Sequence, residues 1–341
     1  MKAVVYDAPR RFSVRDLPTP TPGPGEVRIR VLQVGVCGTD LHIHEGEFRT
    51  AYPLIPGHEL VGIVDAVGEG VGRVAVGEQV TVNPNQACGV CHFCQQGRPI
   101  LCTDLKGFGS TFPGFIAEYA VAPASLVCSV AGLDPDVAVF SEPNACACHG
   151  VDNLRPRAGS TALVIGVGPT GLLLAQQIRN AGAVHVTTAA TKQFKLDTAR
   201  RLGIDQAVLI PRGDPEAALA ALRQAGPEHG YDYVVEATGA PQIGEICVPL
   251  TASGGTVLVY GVTKHADTFA IHPYDVFSRE ITIRGSFAEV TSFVESIATL
   301  RSGRVRTDGI ISHRFGLDEY GRALETLATD PTAHKVVVTC A

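Results

Sequence analysis

The chain has 341 residues, 45% of them hydrophobic and 18% charged, with a formal net charge of −6. At about 100–200 residues per domain, this length supports two domains with separate cores. No basic run offsets the acidic balance, which disfavours a general nucleic-acid binder. No stretch of roughly 18 uninterrupted apolar residues exists to span a membrane.

The start, MKAVVYDAPRR, lacks the basic and apolar regions of a signal peptide, so a cytoplasmic protein is expected. Residues 1–150 read as short strands broken by Pro and Gly. VRIRVLQVGV (27–36), LVGIVDAVG (60–68) and EQVTVNP (78–84) carry strand patterns between turn residues. DLPTPTPGPGE (16–26) is too Pro-rich for a helix and reads as an extended connector. Composition changes at RPRAGS (155–160), and strands then alternate with helices. The order is TALVIG, the helix PTGLLLAQQIRNAGA, HVTTAA, the helix KQFKLDTARRLG, YDYVVEATG and GGTVLVYGV, with ITIRGSF (281–287) as a last strand. Such alternation implies an α/β domain with a parallel, doubly wound sheet covered on both faces.

Gly166-Val167-Gly168-Pro169-Thr170-Gly171 is a G-x-G-x-x-G that follows a strand and opens a helix, the context a dinucleotide site requires. Gly166 permits the tight turn, Gly168 lets backbone approach a pyrophosphate, and Gly171 lets helix pack on strand. Pro169 and Thr170 open the helix whose N-terminus faces the phosphates. An NAD site usually carries an acid about 20 residues on, at the end of the second strand. Here that position falls near Ala190-Thr191-Lys192, without an acid. A small residue, a hydroxyl and a cation suit a 2′-phosphate, which points to NADP. The other reading is NAD bound without the acid, with Lys192 only a solvated surface lysine.

Ten cysteines stand at 37, 88, 91, 94, 102, 128, 146, 148, 247 and 340. Cys88, Cys91, Cys94 and Cys102 crowd into one short lobe, a spacing that favours metal over disulfides in a reducing compartment. Four thiolates close a tetrahedral zinc shell, so this site is expected to be structural. His92 lies inside the lobe and reads as a loop residue. Cys37, His58-Glu59 and Glu142 are the ligand types of a catalytic zinc with an open position. Taken singly, each is unremarkable: a buried Cys is more often inert packing, and a lone His more often a satisfied surface or core residue.

VCGTDLHIHEG, PLIPGHELVGIV, CGVCHFCQQGRPILC, GFIAEYAV, GVGPTGLLLAQ, EATGAP and REITIRGSF occur in this order. Together they resemble the zinc-containing medium-chain alcohol/polyol dehydrogenases, in the sorbitol/xylitol/arabinitol branch, over essentially the whole chain. The resemblance implies a GroES-like, β-rich catalytic domain of residues 1–150 and 290–341 and an inserted Rossmann domain of residues 151–289. The active site is then expected in the cleft between them. Cys37 and His58 become catalytic-zinc ligands, with Glu59 a close, exchangeable third. Glu142 of the EP motif completes the set in the polyol branch, whereas Cys146 does so in the alternative pattern of simple-alcohol enzymes. Cys148 reads as packing.

The resemblance also implies that Thr39 accepts the substrate hydroxyl proton and that His42 relays it to solvent. Thr238 and Gly239 would border the nicotinamide. The expected cofactors are one catalytic and one structural zinc per chain and NADP in preference to NAD. The expected partner is a small alcohol or polyol, in a homodimer or homotetramer, without nucleic acid or membrane. Dehydrogenases of L-threonine, an aldose or a simple alcohol are the alternatives on the same scaffold. A non-catalytic NADP-binding protein is the remote one. Phe48, Phe108 and Phe112, in the segments 44–53 and 106–115, are expected to line the pocket or to serve as core. His44 reads as a rim residue.

Overall fold

The alternation in VRIRVLQVGV becomes the eleven-residue strand Glu26–Val36, whose side chains are buried on one face first and on both faces at its end. In the computed structural model, which describes residues 1–48 and 50–340, this strand is the hub of a seven-stranded sheet. It pairs antiparallel with Glu59–Val67, Tyr119–Pro123 and Lys335–Thr339. Gln79–Val82, Val127–Ser129 and Ile311–Gly316 complete the sheet. Val27, Ile29, Val31, Val34 and Val36 lead its core, joined by Tyr6, Phe115 and Tyr320. Each such side chain, fully buried, contributes about 1.5–3 kcal/mol.

The second sheet has six parallel strands. They run Gln206–Leu209, His185–Ala190, Thr161–Ile165, Tyr231–Glu236, Thr251–Val259 and Thr282–Gly285 in space. In chain order that arrangement is 3-2-1-4-5-6, the Rossmann topology. Helices Pro169–Asn180, Gln193–Arg201, Pro215–Ala225, Pro241–Leu250 and Pro273–Ser278 make the crossovers.

The expected strands and helices are present, mostly trimmed or shifted at the ends where Gly takes positive φ. The pattern missed the hairpin Lys2–Ala8/Arg11–Asp16, the edge strand Gln206–Leu209 and the helices Pro215–Ala225 and Pro241–Leu250.

Two compact units emerge. One contains residues 1–145, 289–301 and 310–340, and the other contains 146–288 and 302–309. The first boundary falls inside the helix Ser141–Leu154, ahead of the expected 150. The segment Ser302–Gly309 departs from the expected block 290–341. Arg306 N donates to Gln176 Oε1 (2.8 Å), Gln176 Nε2 donates back to Arg306 O (3.0 Å), and Asn180 Nδ2 donates to Arg304 O (3.1 Å). These bonds tie the segment to the helix Pro169–Asn180. No helix among the described residues is long and apolar enough to cross a membrane.

Candidate metal centres and dinucleotide site

The strand Glu26–Val36 ends one residue before Cys37, which is the N-cap of the helix Gly38–Glu45. Cys37 N donates to Asp40 Oδ2 (2.9 Å), and Thr39 N donates to Cys37 Sγ (3.3 Å), closing a capping box with sulfur as the acceptor. His58 and Glu59 open the neighbouring strand Glu59–Val67. His58 Nε2 stands 3.1 Å from Cys37 Sγ. Donor atoms of Cys37, His58 and Glu59 all lie within 4.8 Å of one another.

Glu59 is also held from the far side. Lys335 Nζ, on the C-terminal strand Lys335–Thr339, forms an ion pair with Glu59 Oε2, and both side chains are only 2% exposed. The pair crosses Gly35, which is registered with Val337 on one side and Glu59 on the other. A Cβ at Gly35 would fall 1.9 Å from Glu59 Oε2 and 2.8 Å from Lys335 Cε. Glycine is therefore required at that rung. Burial opposes the charge on Lys335, but Glu59 and then Cys37 raise its pKa.

Glu142 sits in the first turn of its helix, buried, and its charge bears on His58 and Lys335. It lies outside the mutually close set of Cys37, His58 and Glu59. Cys146 falls in the other unit, and buried Cys148 accepts from Gln177 Nε2 at 3.2 Å, as a packing cysteine would.

The donor set suits a soft-to-borderline divalent cation: one sulfur, one imidazole nitrogen and carboxylate oxygens. Local electrostatics agree. Burial opposes a proton on His58, yet Cys37, Asp40 and Glu142 together raise its pKa well above the usual value. Negative charge on Cys37, Asp40 and Glu142 around this buried imidazole favours a positive charge in the cluster.

Thr39 and His42 lie three residues apart on the helix Gly38–Glu45, hence on one face. His42 Nδ1 is 2.9 Å from Glu47 Oε2. His44 Nδ1 meets Tyr6 Oη at 2.9 Å, within an aromatic group with Phe12 and Tyr320. Phe48 and Phe108 pack against the core, whereas Phe112 is 40% exposed, with Lys106 5.0 Å above its ring. Arg49, within the segment 44–53, lies outside the described residues.

Cys88, Cys91, Cys94 and Cys102 form the second cluster, their sulfurs also within 4.8 Å of one another. In a tetrahedral shell with Zn–S near ~2.3 Å, sulfurs stand about 3.8 Å apart. Cys88 Sγ and Cys94 Sγ are 4.0 Å apart. Backbone N–H groups of Cys88, Cys91 and Asp104 donate to these sulfurs at 3.3–3.4 Å. The amides of Cys94 and Thr103 pull the Cys91 thiol down to about 5. Burial and then the neighbouring Cys91 thiol push the Cys94 thiol up to about 12, so the donated amides favour a thiolate at Cys91 rather than at all four. His92 is exposed and outside the set.

In the other unit, Gly166 has φ 117°, and a Cβ there would meet Ala237 O at 2.6 Å. A Cβ on Gly171 would strike Gly166 O at 1.9 Å. Gly168 differs: open space surrounds its Cβ position, and it caps Pro169–Asn180 without a side chain. An uncapped helix N-terminus facing open space fits a pyrophosphate. Thr170 lies in the first turn of that helix.

Ala190 ends the strand His185–Ala190, Thr191 is exposed, and Lys192 is the N-cap of Gln193–Arg201. Lys195, which sequence reasoning missed, joins Lys192 in that first turn. Burial and the Lys192 charge lower its pKa. Two cations and no acid at a helix N-terminus run against the helix dipole, a conflict that an anion relieves. The turn after Tyr231–Glu236 is fixed by buried Glu236, which accepts from Thr238 N (2.7 Å), Gly239 N (3.0 Å) and the Thr238 hydroxyl.

The alcohol dehydrogenase GroES-like domain family matches residues 23–132, and the zinc-binding dehydrogenase family matches residues 169–301. D-arabinitol dehydrogenase 1 of Uromyces fabae is 42% identical over 330 residues, 96% of this chain and 94% of that protein. L-threonine 3-dehydrogenase of Saccharopolyspora erythraea is 34% identical over 96% of this chain and 95% of that protein. A zinc-binding dehydrogenase from Sinorhizobium meliloti, crystallised with NADP, superposes with a TM-score of 0.93 at 34% identity, covering 99% of this chain and 98% of that one. The chain belongs to the zinc-containing medium-chain alcohol/polyol dehydrogenase family, with a GroES-like domain and a Rossmann domain. It is an oxidoreductase.

Proposed function

We propose that the protein oxidises a secondary hydroxyl of a sugar alcohol to the ketose, reversibly, with NADP as the preferred hydride carrier. The 3.1 Å approach of His58 to Cys37, with Glu59 alongside, is the observation that carries the reading. Cys37 and His58 hold a catalytic zinc, Glu59 stands as an exchangeable third partner, and Glu142 completes the set. Cys88, Cys91, Cys94 and Cys102 hold a structural zinc, which makes two per chain.

When bound, zinc supplies a Lewis acid that makes the substrate hydroxyl acidic near neutral pH, and NADP⁺ accepts the hydride. Thr39 takes the hydroxyl proton and His42 passes it to solvent. Gly166, Gly168, Pro169, Thr170 and Gly171 cradle the pyrophosphate, and Thr238 and Gly239 border the nicotinamide. Ala190, Thr191 and Lys192 receive the 2′-phosphate, supported by the acid-free first turn that Lys192 shares with Lys195. The four-thiol lobe suits a reducing, cytoplasmic compartment, and a homodimer or homotetramer is the proposed assembly.

The polyol substrate is supported by the D-arabinitol relative, 42% identical. The 34% identical L-threonine enzyme supports the second reading, an amino-alcohol substrate. Initial rates with D-arabinitol, other pentitols and hexitols, and L-threonine, each with NADP⁺ and NAD⁺, decide between them. Pentitol turnover with NADP⁺ at least about tenfold faster than with NAD⁺ is expected. L-threonine as the best substrate would overturn the polyol reading, and an NAD⁺ preference would overturn the phosphate site.

A further inference from the structure

The helix Gly38–Glu45 ends at Gly46, which takes φ 76° and ψ 18°. Gly46 N donates to Ile43 O (3.1 Å), and Glu47 N donates to His42 O (2.8 Å). This double bond pattern is a Schellman motif, in which the residues joined by the outer bond stand side by side. An apolar contact usually fills that place. Here the two residues are His42 and Glu47, and Glu47 Oε2 meets His42 Nδ1 at 2.9 Å. Gly46 is needed for the geometry: its φ is left-handed, and a Cβ would fall 2.8 Å from Pro9 Cγ.

A carboxylate only accepts, so the imidazole must present Nδ1–H to it, and the lone pair of the neutral ring then lies on Nε2. We propose that Glu47 is the positioning residue of the proton relay, holding His42 as the Nδ1–H tautomer with Nε2 as the acceptor. The inference rests on the reading that His42 relays the substrate proton. In the oxidation, the alcohol O–H bond breaks, and the proton handed on by Thr39 forms a new N–H bond at Nε2. Meanwhile the carbinol C–H bond gives its electron pair and hydrogen to NADP⁺. The resulting imidazolium sits against the Glu47 carboxylate until Nε2 releases its proton to water. Side-chain exposures of 23% for His42 and 30% for Glu47 leave that exit open.

The test uses the full-length zinc-loaded enzyme and compares Glu47→Gln, His42→Ala and the double variant. The rate of the first turnover is followed, so that product release does not mask the chemistry. His42→Ala is expected to slow it on the order of 100-fold and Glu47→Gln about tenfold, the alcohol KM changing less than about twofold. The double variant is expected to match His42→Ala alone, because Glu47 acts only through His42. Nitrogen-15 NMR of the His42 ring should show a protonated Nδ1 in the parent and lose that preference in Glu47→Gln. Parental rates for Glu47→Gln, a double variant slowed by the product of the single effects, or a parent ring protonated at Nε2 would each overturn the inference. A parental rate for His42→Ala would instead remove the relay itself, and the Glu47 role with it.

Discussion

Lys335, like Lys195, is a residue that sequence reasoning missed, and the reason is physical. HKVVVT carries no motif, and only its pairing beside Glu26–Val36, some 300 residues away in the chain, brings the lysine over Gly35 to Glu59. Removing one partner of a buried ion pair leaves an uncompensated charge and costs about 3–5 kcal/mol. Lys335→Met is therefore expected to lower unfolding stability by about that amount in a denaturant titration. The Glu59→Gln/Lys335→Met double variant should recover most of the loss. A double variant less stable than Lys335→Met would show that the pair's charges do not set the cost.

Glu289, which no motif marked, carries a pH prediction. It is fully buried, and burial first, then the Glu142 charge, push its carboxyl up to about 8. The folded chain thus keeps a proton that the unfolded chain releases near its usual pKa of about 4.3. Stability contributed at this position falls as pH rises from about 4 to 8. Glu289→Gln is neutral throughout, so its Tm should exceed the parent's at pH 8.5 and approach it near pH 5. An equal difference at both pH values would contradict the assignment.

At the scale of elements, legibility followed the range of the contacts. The βα alternation of residues 161–285 was readable because each strand and its crossover helix are neighbours in the chain. The strand Gln206–Leu209 escaped because it is only four residues long, at the sheet edge, and half-exposed. Pro215–Ala225 follows that missed strand, whereas Pro241–Leu250 lies between two expected strands but carries Gly244 and Pro249 within it, which blur a helical pattern. The four-cysteine lobe was readable from spacing alone, because its ligands lie within one short segment.

That lobe has few buried apolar side chains of its own, so in the proposed reading bound zinc supplies much of its order. Cys91→Ser should lower Tm and solubility and bind one zinc fewer per chain, as measured by metal analysis and thermal melts. Parental stability in that variant would remove the structural-zinc assignment.

The whole molecule distributes its chemistry between two units. The first carries the Cys37–His58–Glu59 cluster at the ends of two adjacent antiparallel strands of a mixed sheet. The second carries the turn at residues 166–171, proposed to hold the pyrophosphate, after the first strand of a parallel sheet, where doubly wound folds bind their ligands. Sequence pattern gave the two-part organisation. It could not give the passage of Ser302–Gly309 to the second unit, which depends on Gln176 and Asn180 bonding to backbone of that segment.

Among the variants, Cys37→Ala tests the catalytic assignment most directly, through the initial rate of pentitol oxidation with NADP⁺. A fall of at least about 10³-fold is expected, with Tm and the metal content of the four-cysteine lobe retained, because the proposed sulfur ligand of the catalytic zinc is lost. Parental turnover by folded Cys37→Ala would show that the chemistry does not run at this cluster.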